Sequence, residues 1–370
     1  MNILWLTWKD YTHPQAGGAE VVLRELSKRL VADGHRVTFL TARHAGSAAH
    51  ELLDGIEVIR IGGNRYLHSF QAFGYYMRRL RGKYDVVVEV VNTAPYFGVL
   101  FGGGAKTFLF YHQLAREVWF HEAKSPLSQV GYTVLEPLAT RLLARSKTPL
   151  ITISDSTLHD LGQFGFTKDR AHIITQGIEL EPLPTLAGTQ KFAAPTVLSF
   201  GAMRAMKRTL DQIKAFELAK QQVPELKMIL AGDTASPYGQ QVLDYIAHSE
   251  FAGDITCEGR VSRKRKIELM RRSHLMCVTS VKEGWGLIVT EAASQGTPAV
   301  VYDVDGLRDS VRDHRTGLVV PPYTLALAAG IINLFTDRQF YKKVRDAAWR
   351  WSQRLTFDQS YQDFKQALEA

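Results

Sequence analysis

Residues 2–41, NILWLTWKDYTHPQAGGAEVVLRELSKRLVADGHRVTFLT, decide the fold. A short apolar run, NILWLT, gives way to a polar loop, then to an amphipathic stretch from about Ala19 to Asp33, then to a second apolar run, RVTFLT. Strand, helix, strand at this spacing is the repeating unit of a parallel sheet covered by helices. The alternation continues outward through IEVIRI, a helix to about Lys83, DVVVEVV, TFLFYH, a helix-rich stretch near Pro126 to Arg145, PLITIS, a short helix and HIITQGI. It breaks at ELEPLPTLAGTQKFAAP, where prolines, a glycine and lost periodicity predict a linker. It restarts with TVLSFG, a helix over about 208–222, LKMILAGD, a helix, DITCEG, a basic helix, LMCVTS, a Gly-rich loop, a helix and PAVVY.

The expected architecture is α/β: two Rossmann-like, doubly wound parallel-sheet domains facing each other across a cleft. The boundaries fall at 1–180 for the first domain, 181–195 for the linker and 196–350 for the second. A C-terminal helix, 351–370, follows, with a return to the first domain as one placement. The length of 370 residues suits two domains, because single cores seldom grow beyond about 250–300 residues. The 45% hydrophobic and 22% charged composition is that of a packed globular chain.

Nowhere does an apolar run of about 18 residues occur, and MNILWLTWKD has none of the features of a secretory signal. The expected location is cytoplasmic, or peripheral at the inner membrane face. The two cysteines, Cys257 and Cys277, lie in strand-like stretches and read as core thiols, which excludes a disulfide framework. A net charge of +8 favours anionic partners: nucleotide phosphates, anionic lipid surfaces or nucleic acid. Two runs concentrate it. Arg60 to Lys83 has six basic residues, interleaved aromatics and no acid, and Arg260 to Arg272 reads RVSRKRKIELMRR. Each is a solvated helix face on the ordinary reading and a membrane-surface contact on the sharper one.

In open parallel sheets ligands bind beyond the carboxyl ends of strands, so the loops after strands carry the chemistry. After NILWLT, Gly17 and Gly18 precede a helix, where free amides and the helix dipole favour a phosphate. After TVLSFG, Arg204 and Lys207 lie on the turn into the next helix and suit a departing diphosphate. After LMCVTS comes SVKEGWGLIVTEAASQGTPAVVY, in which Glu283, Gly284 and Gly286 lead into a helix from Leu287 or Ile288 that carries Glu291 on its first turn. Two carboxylates beside a Gly-rich anion site suit a ligand with vicinal hydroxyls flanking a phosphate, as in a nucleotide sugar.

This segment resembles the family 4 retaining glycosyltransferases of the GT-B fold, whose signature is two glutamates separated by seven residues, the spacing of Glu283 and Glu291. The resemblance runs through GGAE at 17–20, FGAMRAMK, AGD at 231–233, CEGR and TGLVVPP at 316–322. It implies that Glu283 contacts the donor sugar near its reacting centre, with Gly284, Trp285, Gly286 and Leu287 around the sugar. Glu291 would hold the ribose hydroxyls, with Arg260 and Ile288 bordering the base. Arg204 and Lys207, with Gly17 and Gly18, would hold the diphosphate. His112, in YHQLAREVWF, resembles the family's active-site histidine. In the family an arginine often follows the glycine of the diphosphate turn directly; here Ala202 stands there and Arg204 is the nearest arginine.

The resulting expectation is a retaining hexosyltransferase that moves a sugar from a nucleotide diphosphate donor to a hydroxyl of a glycan, lipid-linked sugar or small metabolite. NTAPYF, 92–97, does not choose among these acceptors. No cofactor and no metal are expected: Asp303 and Asp305 form a common aspartate pair, and GGG at 102–104 reads as a turn. A nucleotide-sugar epimerase or hydrolase is one alternative, and a nucleotide-sugar-binding module another. Carboxylates in the site argue against nucleic acid, since they repel a phosphate backbone.

Overall fold

The computed structural model describes residues 1–64, 67–91 and 95–370, with the side chain of Glu122 left aside. Arg65 and Tyr66 of the first basic run and Asn92 to Ala94 of NTAPYF lie outside the described residues. The chain divides into two compact units, 1–177 with 356–370, and 178–355.

Among the described residues the first unit has an eight-stranded sheet. Its strands are β1 Asn2–Leu6, β2 Arg36–Ala42, β3 His50–Leu53, β4 Ile56–Ile61, β5 Val86–Val91, β6 Lys106–Tyr111, β7 Leu150–Thr152 and β8 Ala171–Ile173. The order is β3-β4-β2-β1-β5-β6-β7-β8, parallel throughout except for the antiparallel β3–β4 pair. The helix Gly18–Ala32 makes the first crossover. A parallel strand covered on both faces must be apolar on both, and Ile3, Leu4, Trp5 and Leu6 are fully buried. Each such side chain contributes about 1.5–3 kcal/mol by leaving water. The edge strand β3, reading HELL and mostly exposed, has no such run and was not foreseen from the sequence.

The second unit repeats the plan with six parallel strands, β9 Thr196–Phe200, β10 Lys227–Ala231, β11 Ile255–Gly259, β12 Leu275–Val278, β13 Ala299–Tyr302 and β14 Gly317–Val320, in the order β11-β10-β9-β12-β13-β14. Both cysteines are free thiols, Cys277 buried in β12 and Cys257 half-buried in β11.

Residues 181–195 are part of the second unit rather than a linker. The Leu183 amide donates to Ser294 O at 2.9 Å and that of Phe192 to Arg272 O at 2.9 Å. The Lys191 ammonium donates to Ser273 O at 2.6 Å, Gly296 O at 2.8 Å and Thr297 Oγ1 at 2.8 Å. Prolines removed the periodicity, but these hydrogen bonds fix the segment against the ends of the helices Arg263–Arg272 and Leu287–Ser294. The unit boundaries fall instead after Gly177 and Leu355. The helix Phe357–Glu369 belongs to the first unit, where Tyr361 donates to Asp33 at 2.8 Å and Phe364 stacks on Trp5 at 5.4 Å.

The first basic run also differs from a uniform surface face. Arg60 sits at the carboxyl end of β4, is buried, and donates to Asp10 at 2.7 Å, Glu51 at 2.7 Å and Thr12 at 3.0 Å, pinning the loop after β1. Burial pushes the Asp10 carboxyl up, and Arg60 and Thr12 outweigh it to leave it below its ordinary range. Arg78, Arg79, Arg81 and Lys83 are exposed. No helix among the described residues is long and apolar enough to cross a membrane.

Candidate nucleotide-sugar site

At the carboxyl ends of β9 and β12 the second unit has a small hollow, with Gly201, Ala202, Lys207, Cys277, Ser280 and Ile288 among its walls. After β9 the chain makes a tight turn, Ala205–Lys207, and Arg208 takes the left-handed conformation at φ 49° before the helix Thr209–Lys220. The loop after β12 is tied to this turn: Thr279 Oγ1 donates to Lys207 O at 2.8 Å, Gln212 donates to Thr279 at 2.8 Å, and the Val281 amide donates to Met206 O at 2.8 Å.

This lacing brings Lys207 to Glu283. The ammonium donates to Glu283 Oε1, and Ser280 Oγ donates to the same oxygen at 2.6 Å. Burial pushes the carboxyl up, but the charge and hydrogen bond of Lys207, with Ser280 and the charge of Arg204, hold it below the usual carboxylate range. Glu283 is therefore ionised at neutral pH. Its backbone is fixed by the neighbouring loop, since a Cβ on Gly306 would lie 2.2 Å from Glu283 O and only glycine fits there.

Gly286, at φ 86°, turns the chain into the helix Leu287–Ser294, whose first amides have no intrahelical acceptor. Leu287 and Ile288 are on that first turn and half-buried; Gly284 is buried, and Trp285 is half-buried with an indole N–H that finds no acceptor among the described residues. Glu291 lies one turn further in than expected and is buried. Lys266, on the helix Arg263–Arg272, donates to Oε1 at 2.8 Å and stands 2.8 Å from Oε2. Here burial pushes the carboxyl up and Lys266 offsets it only in part, so the net direction is upward. Each of the two carboxylates thus has its own lysine partner.

The remaining expected residues are placed elsewhere. Arg260 is exposed and donates to Asp233 Oδ2 at 2.7 Å. Arg204 is exposed on the loop after β9. In the first unit the amide of Gly17 donates to Glu20 Oε2 at 2.6 Å, and Lys9 stands 3.5 Å from Glu20 Oε1. The helix that opens at Gly18 therefore already carries a carboxylate at its N-terminus, where an anionic ligand had been expected. His112 follows β6, stacked on Phe110 at 4.6 Å, with its carbonyl accepting from Thr157 and its Nε2 buried without a partner among the described residues. Burial pushes the imidazole down to about 4, so it is neutral at physiological pH.

Sequence reasoning assigned no role to Lys266 or Ser280. Lys266 was hidden in the basic run, two of whose other members pair locally: Arg265 with Glu258 and Glu268, and Arg272 with Glu268. Asp303 and Asp305 are committed to Arg308, and Asp305 also to Lys282.

The sequence model described as Glycosyltransferase Family 4 matches residues 16–182, and that described as Glycosyl transferases group 1 matches residues 190–351. Among curated relatives, a D-inositol 3-phosphate glycosyltransferase of Jonesia denitrificans is 22% identical over 393 aligned residues, covering 96% of this chain and 91% of its own. Among solved structures, the sucrose-phosphate synthase of Thermosynechococcus elongatus superposes with a TM-score of 0.78 at 18% identity, over 100% of this chain and 98% of its own. The Anabaena protein HepE, solved in complex with UDP-glucose, gives 0.75 at 18% identity over 100% and 99%.

Proposed function

The chain belongs to the family 4, group 1 glycosyltransferases of the GT-B fold, and from that premise we propose that it transfers a hexose from a uridine diphosphate donor to an acceptor hydroxyl, with retention and without a metal ion. The observation that carries the reading is the ionised Glu283 held beside Lys207 at the mouth of a strand-end hollow. The likeness to a protein solved with UDP-glucose makes uridine the first donor base to try.

In the proposed reaction the bond from the anomeric carbon to the diphosphate oxygen breaks, and the acceptor oxygen bonds to that carbon on the same face. The acceptor proton passes to the leaving diphosphate oxygen. Lys207 and Arg204 neutralise the charge that develops on the diphosphate, the task a metal ion performs in other sites. The Glu283 carboxylate stabilises positive charge at the sugar ring, and the Leu287 and Ile288 amides at the helix N-terminus favour the anion. Glu291 accepts hydrogen bonds from the ribose hydroxyls, with Arg260 bordering the base. His112, neutral and with an Nε2 unpaired among the described residues, suits a hydrogen bond to a sugar hydroxyl. Gly17 and Gly18 are given no diphosphate role, because Glu20 holds the Gly17 amide. The partners are thus a nucleotide-sugar donor and a hydroxyl acceptor, with peripheral contact to an anionic membrane as a further part of the reading.

Calorimetric titration of UDP, GDP, ADP and dTDP in the presence of a chelator tests the donor site. UDP binding that Lys207→Ala and Glu291→Ala weaken supports it; no binding of any nucleotide overturns the reading. With UDP-glucose, product formation and its anomeric configuration by NMR then separate transfer from the epimerase, hydrolase and pure binding alternatives.

A further inference from the structure

Residues 127–145 of the first unit form one nearly continuous helix, Leu127–Val130, a wider π turn at Gly131–Leu135 and Glu136–Arg145, and it exposes an apolar ridge. The inward side is mixed: Ser128, Gly131, Glu136 and Thr140 are buried along its length, and Pro137, Leu143 and Ala144 are buried toward its C-terminal end. Gly131 is backed directly by the Trp119 ring, where a Cβ would lie 2.4 Å away. Glu136 accepts from the amides of Ala115 and Arg116 at 2.5 and 2.8 Å and from the Trp119 indole at 3.3 Å. The outward side carries Leu127, Val130, Val134, Leu135, Leu138 and Leu142, each between 38% and 55% exposed. A helix on a water-facing surface turns polar residues outward, and a contiguous exposed apolar face of this kind marks a contact site.

The charges around the ridge identify the partner. Between Lys124 and Lys147 the basic residues are Lys124, Arg141, Arg145 and Lys147, all exposed, and the sole acid is Glu136, turned inward. We propose that this helix lies in the plane of an anionic lipid bilayer, its apolar ridge among the acyl chains and its basic residues at the phosphate headgroups. Long basic side chains reach up to headgroups from a helix seated in this way, and apolar area with positive charge is the combination that such interfacial helices use. This deepens the peripheral contact proposed above, assigns it to this surface rather than to the two basic runs, and holds whatever sugar is transferred.

Co-sedimentation of the full chain with vesicles tests it, using pure phosphatidylcholine against phosphatidylcholine with about 30 mol% phosphatidylglycerol, a composition chosen to raise the surface charge. Binding is expected to the second and weakly or not at all to the first. The double variant Leu135→Glu/Leu138→Glu is expected to lower it by about tenfold or more, and Arg141→Ala/Arg145→Ala/Lys147→Ala to lower it and flatten its salt dependence. UDP binding and an unchanged circular dichroism spectrum report that the variants fold, and UDP binding fails separately if the donor reading is wrong. Three outcomes overturn the proposal: wild type that ignores anionic vesicles, binding that survives Leu135→Glu/Leu138→Glu but is lost in Phe70→Ser on the helix His68–Tyr75, where Phe70 and Phe73 are also exposed, or a wild-type dimer that these substitutions convert to monomer with no vesicle binding by either.

Discussion

Glu283 and Glu291 are both carboxylates paired with a lysine, eight positions apart, and the two pairs behave in opposite ways. At Glu283, Lys207 and Ser280 converge on one oxygen with the charge of Arg204 behind them, and ionisation is favoured despite burial. At Glu291, Lys266 and the charge of Arg263 offset burial only in part, the charge of Glu179 adds to it, and the carboxyl is raised. The difference teaches that the signature spacing sets where carboxylates go, while the number of donors and cations supplied by other strands sets their charge. A fixed negative charge suits a position next to a sugar that becomes cationic. A carboxyl with a raised proton affinity suits ribose hydroxyls, which reward a hydrogen-bond acceptor without demanding a charge in the ground state.

Removing the cation from the first pair should do the most harm. Lys207→Ala is expected to lower kcat/KM by roughly 10²–10³, the range typical of losing one preorganised donor to developing charge. Steady-state kinetics with the donor at saturation checks it, because a loss confined to KM would make Lys207 a binding group only. In the second pair, Glu291→Ala should weaken UDP by about 10- to 100-fold while kcat with saturating donor changes by less than about threefold, the pattern of hydrogen bonds made equally in ground and transition states. A kcat loss as deep as that of Lys207→Ala would erase the contrast.

The third effect is smaller and carries a sign. The Glu283 carboxyl is held low in the folded chain, so its contribution to stability is present above the unfolded carboxyl value of about 4.3 and is lost as pH falls through the lower, folded value. The Glu291 carboxyl is raised, so its contribution is present below that unfolded value and is lost as pH rises through the folded one. Melting curves of Glu283→Gln and Glu291→Gln across this range should therefore diverge. Wild type gains on Glu283→Gln as pH rises and loses ground to Glu291→Gln, by a few °C at most. Parallel curves would mean that the two pairs titrate alike.

The alternating apolar runs made both parallel sheets legible, because a buried strand must be written in residues that tolerate no water. The edge strand His50–Leu53 was not, since its exposed residues carry no such constraint. At the site, the two glutamates and Lys207 were readable from loop position and spacing. Lys266 was not, because its carboxylate partner lies 25 residues away on another helix and a basic run looks solvated whichever members turn inward. Arg60 was misread for the same reason: its place on β4 points it at Asp10, 50 residues earlier. The glycines at 17–18 suggested an open anion site, yet Glu20, three residues on, closes the Gly17 amide with its own carboxylate.

Arg260 and Asp233 give the weakest test and define the lower end of the scale. They too form a cation–carboxylate pair, here a guanidinium at 2.7 Å, but Arg260 is 73% exposed. Water and salt screen such a pair, and ordering two long side chains offsets much of what remains. Arg260→Ala is expected to shift the melting temperature by less than about 1 °C, in line with exposed pairs generally, and to change UDP affinity by no more than about threefold. A double-mutant cycle with Asp233→Ala should return no coupling beyond about twofold in UDP affinity, against a far larger coupling for Lys266 with Glu291. If Arg260 instead couples as strongly as Lys266, then contact with the base, rather than burial of the pair, governs which cations in this unit matter.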